Sequence, residues 1–178
     1  GRTTFAGEGL QHQDGHSHLV AATIPNCVSY DPTYAYEVAV IVHHGLEVMY
    51  GRRESKFFYI TTMNENYQHP EMPAGAEEGI IRGMYRVESA APKSKAVVQL
   101  MGCGTILREV RAAAALLRQD FGVDADVWSL TSINELRRDG LDAERWNMLH
   151  PTAKVPRVPW ITRMLDFFFN DTATTEIY

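Results

Sequence analysis

A polar stretch near the start of the chain, residues 7–18 (GEGLQHQDGHSH), concentrates the side chains best suited to acid–base chemistry. It contains three glycines and five titratable side chains, which are Glu8, His12, Asp14, His16 and His18. Imidazole and carboxylate groups exchange protons near neutral pH, and glycine lets the backbone come close to a ligand. We therefore predict that this stretch forms a wall of an active site, in which the carboxylates orient the imidazoles or act as acids themselves.

The histidines of this stretch have two alternative roles. They could bind a metal ion, but their spacing matches no tetrahedral zinc pattern and no cysteine lies nearby. They could instead be structural, held by hydrogen bonds within a loop. The spacing therefore favours no metal site, while substrate-facing and structural histidines both stay open as interpretations.

The composition is that of an ordinary globular protein and excludes several functional classes. The 178 residues are 45% hydrophobic and 22% charged, and the formal net charge is -5. Because the chain is acidic and its aromatic residues are not interleaved with basic ones, nothing indicates nucleic-acid binding. No apolar run is long enough to cross a bilayer and no signal peptide is recognisable, so we expect no membrane association. The chain begins with Gly1 in the middle of a motif, and we expect a fragment of a longer protein.

The two cysteines, Cys27 and Cys103, lie far apart in sequence. This usage favours free thiols in a reducing compartment, so we expect a cytoplasmic protein. Cys103 lies between two glycines, after a predicted strand and before a predicted helix. A dinucleotide fingerprint would need a further glycine where Leu107 stands, so we predict a plain turn. A nucleophilic role for Cys103 is not expected, because no histidine is close to it in sequence.

Strand and helix patterns alternate in the first half of the chain. A short β-type segment at 26–30 precedes Asp31-Pro32, which is a typical helix start, and the helical pattern ends at Gly51. A second strand is predicted at 56–62. This order of strand, helix and strand predicts an α/β fold with a parallel sheet.

The polar loop at residues 63–75 follows directly from the second predicted strand. Ligands of open parallel sheets bind at the carboxyl ends of the strands, so this loop supplies secondary candidates for the site. They are Asn64, Glu65, Asn66, Tyr67 and His69. The alternative is a solvated surface loop.

The alternating pattern restarts in the second half of the chain. We expect a helical turn at 77–82, a strand at 83–89 and a short linker at 90–94 that marks a domain boundary. The elements predicted beyond it are a buried strand at 95–101, a helix capped by Thr105 that ends at 121–122, a strand at 126–130, and helices at 132–138, 142–149 and 160–166. Residues 167–178 (FFFNDTATTEIY) break the pattern and resemble the translated read-through of a sequencing adaptor, so we give this non-native tail no functional weight.

Five segments of the chain together resemble the homodimeric-type pyruvate dehydrogenases. The segments are GEGLQHQDGHSH, TIPNCVSYDPTYAYEVAVI, YITTMNENYQHPEMPAGAEEGI, ELRRDGLDAERWNMLHP and PRVPWI, and the resemblance covers nearly all of residues 1–166. These enzymes are the decarboxylating first components of the pyruvate dehydrogenase complex, in the transketolase superfamily of thiamin-diphosphate enzymes. The resemblance implies parts of two transketolase-like parallel-sheet domains. Residues 1–89 would be the second half of the pyrimidine-binding middle domain, and residues 90–166 the first half of the C-terminal domain.

The resemblance also implies a site. The cofactor, thiamin diphosphate with Mg²⁺, would lie at a dimer interface, and the polar stretch would border its reactive thiazolium carbon. Glu8 and His12 match catalytic residues of the family, and Asp14 and His16 fall on the substrate side. The cofactor supplies the carbanion chemistry. His12 would hydrogen-bond pyruvate or protonate the developing oxyanion, and Glu8 would set the orientation and charge of His12. Gln13 stands where relatives often have an acid.

The implied reaction is the oxidative decarboxylation of pyruvate, with transfer of the acetyl group to a lipoyl-bearing acyltransferase component. In this superfamily a Gly-Asp-Gly segment with a downstream Asn holds Mg²⁺ and the diphosphate, and the chain contains no such segment. We therefore expect the main cofactor-binding residues to lie outside this chain, and the chain alone to be inactive. Two alternatives are another thiamin-diphosphate enzyme, such as a transketolase or a different 2-oxoacid dehydrogenase, and a non-catalytic α/β interaction module.

Overall fold

The computed structural model describes residues 9, 12, 14–63, 65–92, 94 and 96–169, and these form two small β-sheets surrounded by helices. In chain order the elements are α1 (Ser17–Ala22), β1 (Cys27–Tyr30), α2 (Ala35–Leu46), a π-helical segment (Glu47–Gly51), β2 (Phe57–Ile60), α3 (Glu77–Arg82), β3 (Tyr85–Glu88), β4 (Val97–Gly102), α4 (Ile106–Phe121), β5 (Asp124–Ser129), α5 (Ile133–Leu149) and α6 (Trp160–Phe169). The α/β class with parallel strands, predicted from the alternating pattern, is confirmed.

The first sheet pairs β1 with β2 in parallel, with Tyr30 opposite Ile60. The two strands are connected through α2 and the π-helical segment, so the predicted unit of strand, helix and strand is confirmed. Its core is apolar: Val28 of β1 packs in one cluster with Ile41 of α2 and Ile80 of α3. The burial of these side chains holds both helices on the sheet.

The prediction that α2 starts at Asp31-Pro32 is wrong, because the helix begins after Tyr34. The side chain that satisfies the amides at this start is Glu37. Its Oε2 accepts hydrogen bonds from the backbone amides of Thr33 at 2.5 Å and Tyr34 at 2.9 Å. The Asp31 carboxylate instead accepts a hydrogen bond from Thr61 Oγ1 at 2.5 Å. Asp31 therefore belongs to the end of β1 and not to the helix start.

The second sheet has the strand order β3–β5–β4. The strands β4 and β5 are parallel and are connected through α4, which confirms the second predicted α/β unit, whereas β3 pairs antiparallel with β5. Although β3 precedes the predicted linker at 90–94, it completes the sheet that follows that linker. The domain boundary stays a prediction, while the change from the first sheet to the second falls between β2 and β3.

Three predicted features of the second half differ in the structure. The strand β4 is not buried along its whole length, since its first two residues, both valines, are exposed. Thr105 stands just before α4 but its side chain makes no capping bond, because its hydroxyl donates to Met63 Sδ at 2.8 Å. The helices predicted at 132–138 and 142–149 are one continuous helix, α5, whose first turn is capped by Ser132.

The turns that follow the parallel strands of the two sheets contact each other. The backbone amide of Asp31, after β1, donates to the Thr131 carbonyl, after β5, at 2.8 Å. The Asp31 carbonyl accepts from the amide of Gly104, after β4, at 3.1 Å. Gly104 has a φ of 49°, and a Cβ atom there would lie 2.9 Å from the Asp31 carboxylate, so the close approach requires glycine. The carboxyl ends of parallel strands from both sheets therefore face a common region.

Candidate functional site

A cavity of about 550 Å³ is lined by α1, by both strands of the first sheet and by the end of the predicted polar stretch. Asp14 and His16 contribute polar groups to its wall, and Phe57 and Tyr59 of β2 contribute aromatic rings. An apolar cavity with a few convergent polar groups is the usual form of a small-molecule site. The structure thus brings the two predicted substrate-side residues to one cavity.

The Asp14 carboxylate orders the entry into α1. Its Oδ1 accepts hydrogen bonds from the backbone amide of His16 at 3.2 Å and from that of Ser17 at 3.0 Å. The first amides of a helix lack partners within the helix, and an Asp side chain commonly satisfies them. Asp14 therefore fixes the backbone that carries His16 to the cavity wall.

The remaining candidates of the polar stretch are less fully placed. His12 is exposed, and its backbone amide donates to the Gly9 carbonyl at 3.0 Å. Glu8 and Gln13 lie outside the residues that the structure describes. The catalytic roles of His12 and Glu8 therefore stay predictions.

Two side chains of the loop between β2 and α3 attach that loop to α2 and α4. The Tyr67 hydroxyl donates to the Thr33 carbonyl just before α2, and the Arg108 guanidinium of α4 lies 4.5 Å from the centre of the Tyr67 ring. His69 Nδ1 accepts a hydrogen bond from the Ala35 amide, the first of α2, at 3.1 Å. Burial raises the pKa of the Tyr67 hydroxyl above its usual value. These contacts hold the loop against α2 and α4, and they give the loop a structural role.

The other loop candidates are more peripheral. Glu65 is exposed and forms an ion pair with Arg108 at 3.0 Å, which adds a second contact between the loop and α4. Asn66 is exposed, and Asn64 lies outside the described residues. The loop is therefore fixed to the two helices, and its residues stay predicted secondary candidates for the site.

A smaller cavity of about 70 Å³ lies where the strand ends of the two sheets meet. His18, Asp31, Cys103 and Asn134 are among the residues that line it. His18 Nε2 lies 3.3 Å from Thr61 Oγ1, which in turn donates to Asp31 Oδ1 at 2.5 Å. These side chains connect the end of the polar stretch to both sheets, and only His18 among them is a sequence-predicted candidate.

The sequence pattern does contain a signal for this cluster. Asp31, Thr61 and Cys103 each follow directly after a parallel strand, where ligands bind in open α/β sheets. Applied to the predicted strands at 26–30, 56–62 and 95–101, that rule selects Asp31. Thr61 and Cys103 follow directly only after the strand ends that the structure gives, Ile60 and Gly102. Asn134 has no comparable signal, because it lies within the first turn of a helix.

The two cysteines are not joined by a disulfide, as predicted. Cys27 is buried in the wall of the larger cavity. Burial raises the pKa of its thiol, although the nearby Arg138 opposes this shift. Since the thiolate is the reactive form, this environment makes Cys27 a poor nucleophile.

Within residues 14–63, 65–92 and 96–165, no three His, Cys, Asp or Glu side chains form a group that could hold a metal ion. In the described part of the chain, no helix combines the length and the apolar character that a membrane span needs.

Two family models match the chain. The model described as the pyruvate dehydrogenase E1 component middle domain matches residues 1–70, and the one described as the transketolase-like TK C-terminal domain matches residues 83–172. Among curated relatives, the pyruvate dehydrogenase E1 component of Escherichia coli (strain K12) is 61% identical over 167 residues, and that of Pseudomonas aeruginosa is 61% identical over 165. Each match covers 93% of this chain but 19% of the relative, so the chain spans about a fifth of their length. The resemblance predicted from the sequence is confirmed.

Solved structures of transketolase from Pichia stipitis are similar to this chain. One transketolase mutant superposes with a TM-score of 0.56 at 16% identity, over 79% of this chain and 19% of that one. A second mutant, in complex with fructose 6-phosphate, superposes with a TM-score of 0.53 at 17% identity, over 73% of this chain and 18% of that one. At these identities the likeness concerns the fold alone, and it confirms the predicted transketolase-like architecture.

Proposed function

Since the chain belongs to the family of transketolase-like C-terminal domains, whose model matches residues 83–172, we propose that it is part of a thiamin-diphosphate-dependent pyruvate dehydrogenase. The observation that carries this proposal is the 61% identity to the Escherichia coli E1 component over 167 residues, which spans both halves of the chain. A transketolase-like fold by itself is shared by enzymes with different substrates. The high identity, together with the match of residues 1–70 to the E1 middle domain, favours this member of the superfamily.

The proposed enzyme decarboxylates pyruvate and transfers the acetyl group to the lipoyl group of an acyltransferase component. It acts as a homodimer in the cytoplasm. Thiamin diphosphate, held with Mg²⁺ by residues beyond those described here, supplies the carbanion chemistry. The contribution of this chain is the polar stretch, which sets proton-exchanging side chains beside the cavity lined by Asp14 and His16.

The residues of the polar stretch have two kinds of role: one binds the substrate, and the others orient the catalytic side chains. His12 is exposed and therefore accessible to a substrate, and it hydrogen-bonds the carbonyl or carboxylate of pyruvate or gives a proton to the oxyanion that develops there. Glu8 sets the orientation and charge of His12. Asp14 fixes the entry into α1 through two amide hydrogen bonds, and His16 faces the cavity on that fixed backbone.

The test is an assay of the full-length protein with thiamin diphosphate and Mg²⁺ against pyruvate, other 2-oxoacids and ketose phosphates. We expect release of CO₂ from pyruvate, acetylation of a lipoyl domain, and a kcat/KM for pyruvate above that for the other substrates. A preference for another 2-oxoacid or for a ketose phosphate would identify a different thiamin-diphosphate enzyme. Absence of turnover with every substrate at saturating cofactor would favour a non-catalytic interaction module.

A further inference from the structure

The first turns of α5 cover the outer edge of β1. On its inner edge β1 pairs with β2, where the carbonyls of Asn26 and Tyr30 accept backbone hydrogen bonds from the β2 side. The carbonyls of Cys27 and Ser29, on the other edge, accept from side chains of the second half of the chain. Ser132 Oγ donates to the Ser29 carbonyl at 2.6 Å, and Arg138 Nη2 donates to the Cys27 carbonyl at 3.1 Å. Side chains at the start of α5 thus satisfy an edge that would otherwise present unpaired carbonyls.

Asn134 extends these contacts to the polar stretch. Its Nδ2 donates to the His18 carbonyl at 2.8 Å and to Ser29 Oγ at 2.6 Å, so both hydrogens of the amide are used. His18 lies in α1, which has six residues and is too short to be stable by itself. The same residue is held on its other side, since its ring lies 3.3 Å from Thr61 Oγ1 and edge-on to Tyr59. The backbone position of α1 therefore depends on a side chain 116 residues further along the chain.

We propose that Asn134 is a positioning residue for the reaction: it fixes the carboxyl end of the polar stretch on β1 and thereby sets where the histidines stand relative to the substrate. This inference rests on the proposed function. A misplacement of a catalytic group by about 1 Å lowers the rate strongly even when the group itself is intact. Asn134 touches no reacting atom in this proposal, and its effect passes through the His18 carbonyl and α1.

The experiment replaces Asn134 in the full-length enzyme by Ala and by Asp. Asn134→Ala removes both hydrogen bonds, and we expect kcat to fall about tenfold while KM for pyruvate changes by less than about twofold. Asn134→Asp keeps the size of the side chain but directs a carboxylate oxygen at the His18 carbonyl, so its kcat at neutral pH should fall at least as far. A protonated carboxyl can donate one hydrogen bond. As the pH is lowered, the kcat of Asn134→Asp relative to the wild type should therefore rise. The kcat of Asn134→Ala relative to the wild type should stay constant.

Asn147 provides the matched control. It lies on the same helix, and its amide also makes two hydrogen bonds, to the carbonyl and from the amide of Arg157, on the exposed side of the chain. Asn147→Ala and Asn147→Asp should leave kcat and its pH profile unchanged. Equal losses of kcat in the Asn134 and Asn147 variants would overturn the proposal.

Amide hydrogen exchange over residues 14–23 gives a readout that is independent of activity. We expect faster exchange in Asn134→Ala than in the wild type and in Asn147→Ala, because α1 loses its anchor. Unchanged exchange, or faster exchange with wild-type kcat, would contradict the positioning role. If the wild-type enzyme does not turn over pyruvate, the proposed function fails, and exchange alone then decides whether Asn134 anchors α1. Should Asn134→Ala not fold, the isosteric Asn134→Asp carries both measurements.

Discussion

His12 and Asp14 are neighbours in the polar stretch but have different surroundings. His12 is exposed, so its imidazole is accessible to a substrate. Asp14 is half-buried, and one of its carboxylate oxygens accepts hydrogen bonds from the amides of His16 and Ser17. A carboxylate that orders a helix entry is poorly placed to exchange its proton as well, because protonation would weaken both bonds. The two residues therefore call for different substitutions.

For His12 we predict a loss of turnover without a loss of cofactor. In the full-length enzyme His12→Ala should lower kcat by ~10²-fold or more, since one contact that stabilises a developing charge is removed. The affinity for thiamin diphosphate should change little. Steady-state kinetics and a cofactor titration measure the two effects, with His43→Ala on the exposed face of α2 as the control. Equal turnover in the wild type and in His12→Ala would contradict the assigned role.

Two substitutions of Asp14 distinguish a role in capping α1 from a role in acid–base catalysis. Asp14→Asn keeps an oxygen that can accept the two amide hydrogen bonds, so it should retain kcat within about twofold. Asp14→Ala loses the cap, which destabilises α1 by about 1 kcal/mol and should lower kcat further than Asp14→Asn does. The comparison is made by kinetics and by hydrogen exchange over α1. If Asp14→Asn loses as much activity as Asp14→Ala with α1 intact, Asp14 acts as an acid or base.

Among the helices, α2 is connected to the second sheet by one buried carboxylate. Glu37 is 0% exposed; its Oε2 accepts from two amides before α2, and its Oε1 accepts from Tyr85 Oη at 2.5 Å and Ser129 Oγ at 2.7 Å. Tyr85 and Ser129 are opposite each other in β3 and β5. Glu37 therefore caps its own helix and attaches it to the second sheet with the same side chain.

Substitution of Glu37 should destabilise the protein even when its shape is kept. In Glu37→Gln the amide oxygen can keep the two backbone amides and the amide nitrogen can donate to the Tyr85 and Ser129 hydroxyls, so the loss of the charge-assisted hydrogen bonds should cost about 1 kcal/mol. Glu37→Ala leaves all the donors buried without an acceptor and should cost about 3 kcal/mol or more. Urea unfolding of the full-length protein measures both values, with Glu77→Gln on the exposed side of α3 as the control. A change below about 0.5 kcal/mol in Glu37→Gln would mean that the buried network adds nothing to stability.

The packing of α2 on β2 also predicts a dependence of stability on pH. His44 of α2 contacts Phe58 edge-on, and burial, followed by the nearby Arg52, lowers the pKa of its imidazole below the usual value. The folded state then binds fewer protons than the unfolded state. The stability that comes from burying the neutral imidazole is therefore fully present above the unfolded-state pKa of about 6.5, and it is lost as the pH falls through the lower pKa of the folded state. We expect His44→Gln to flatten the decline of Tm between neutral and mildly acidic pH. His43→Gln, at an exposed neighbouring position, should leave the slope unchanged, and an unchanged slope in His44→Gln would contradict the prediction.

The strands and helices could be predicted where local pattern decides them. The β-type segment at 26–30 and the glycine after Phe121 define β1 and the end of α4 from a few neighbouring residues. The start of α2 could not be predicted in this way, because Glu37 competes with Asp31-Pro32 through partners on distant strands. Likewise the antiparallel pairing of β3 depends on a strand distant in sequence, since Tyr85 is opposite Ser129 and Glu88 is opposite Val127 of β5. The polar stretch was recognisable from composition, whereas its anchor Asn134 was not, because no local pattern links the two.

The chain as a whole joins two sheets at their carboxyl ends, with the polar stretch on the side of the first sheet. The backbone hydrogen bonds between Asp31, Thr131 and Gly104, and the side-chain bonds of α5 to β1, make this junction. The junction places residues of the second half against α1, while the described residues that line the larger cavity all belong to the first half. Among the described residues, the first half therefore lines the larger cavity, and the second half contacts α1 and β1.

This division predicts how the 178-residue chain behaves by itself. Its described residues contain no group of three His, Cys, Asp or Glu that could hold a metal ion, and the chain spans 19% of the Escherichia coli relative. Because a diphosphate with its Mg²⁺ needs oxygen ligands held in place, isothermal calorimetry of the isolated chain with thiamin diphosphate and Mg²⁺ should show no tight binding. The full-length protein should bind under the same conditions, which controls for the cofactor preparation. Tight binding by the isolated, folded chain would mean that the polar stretch and the strand ends themselves hold the cofactor, and that the substrate-facing role of His12 and His16 has to be reassigned.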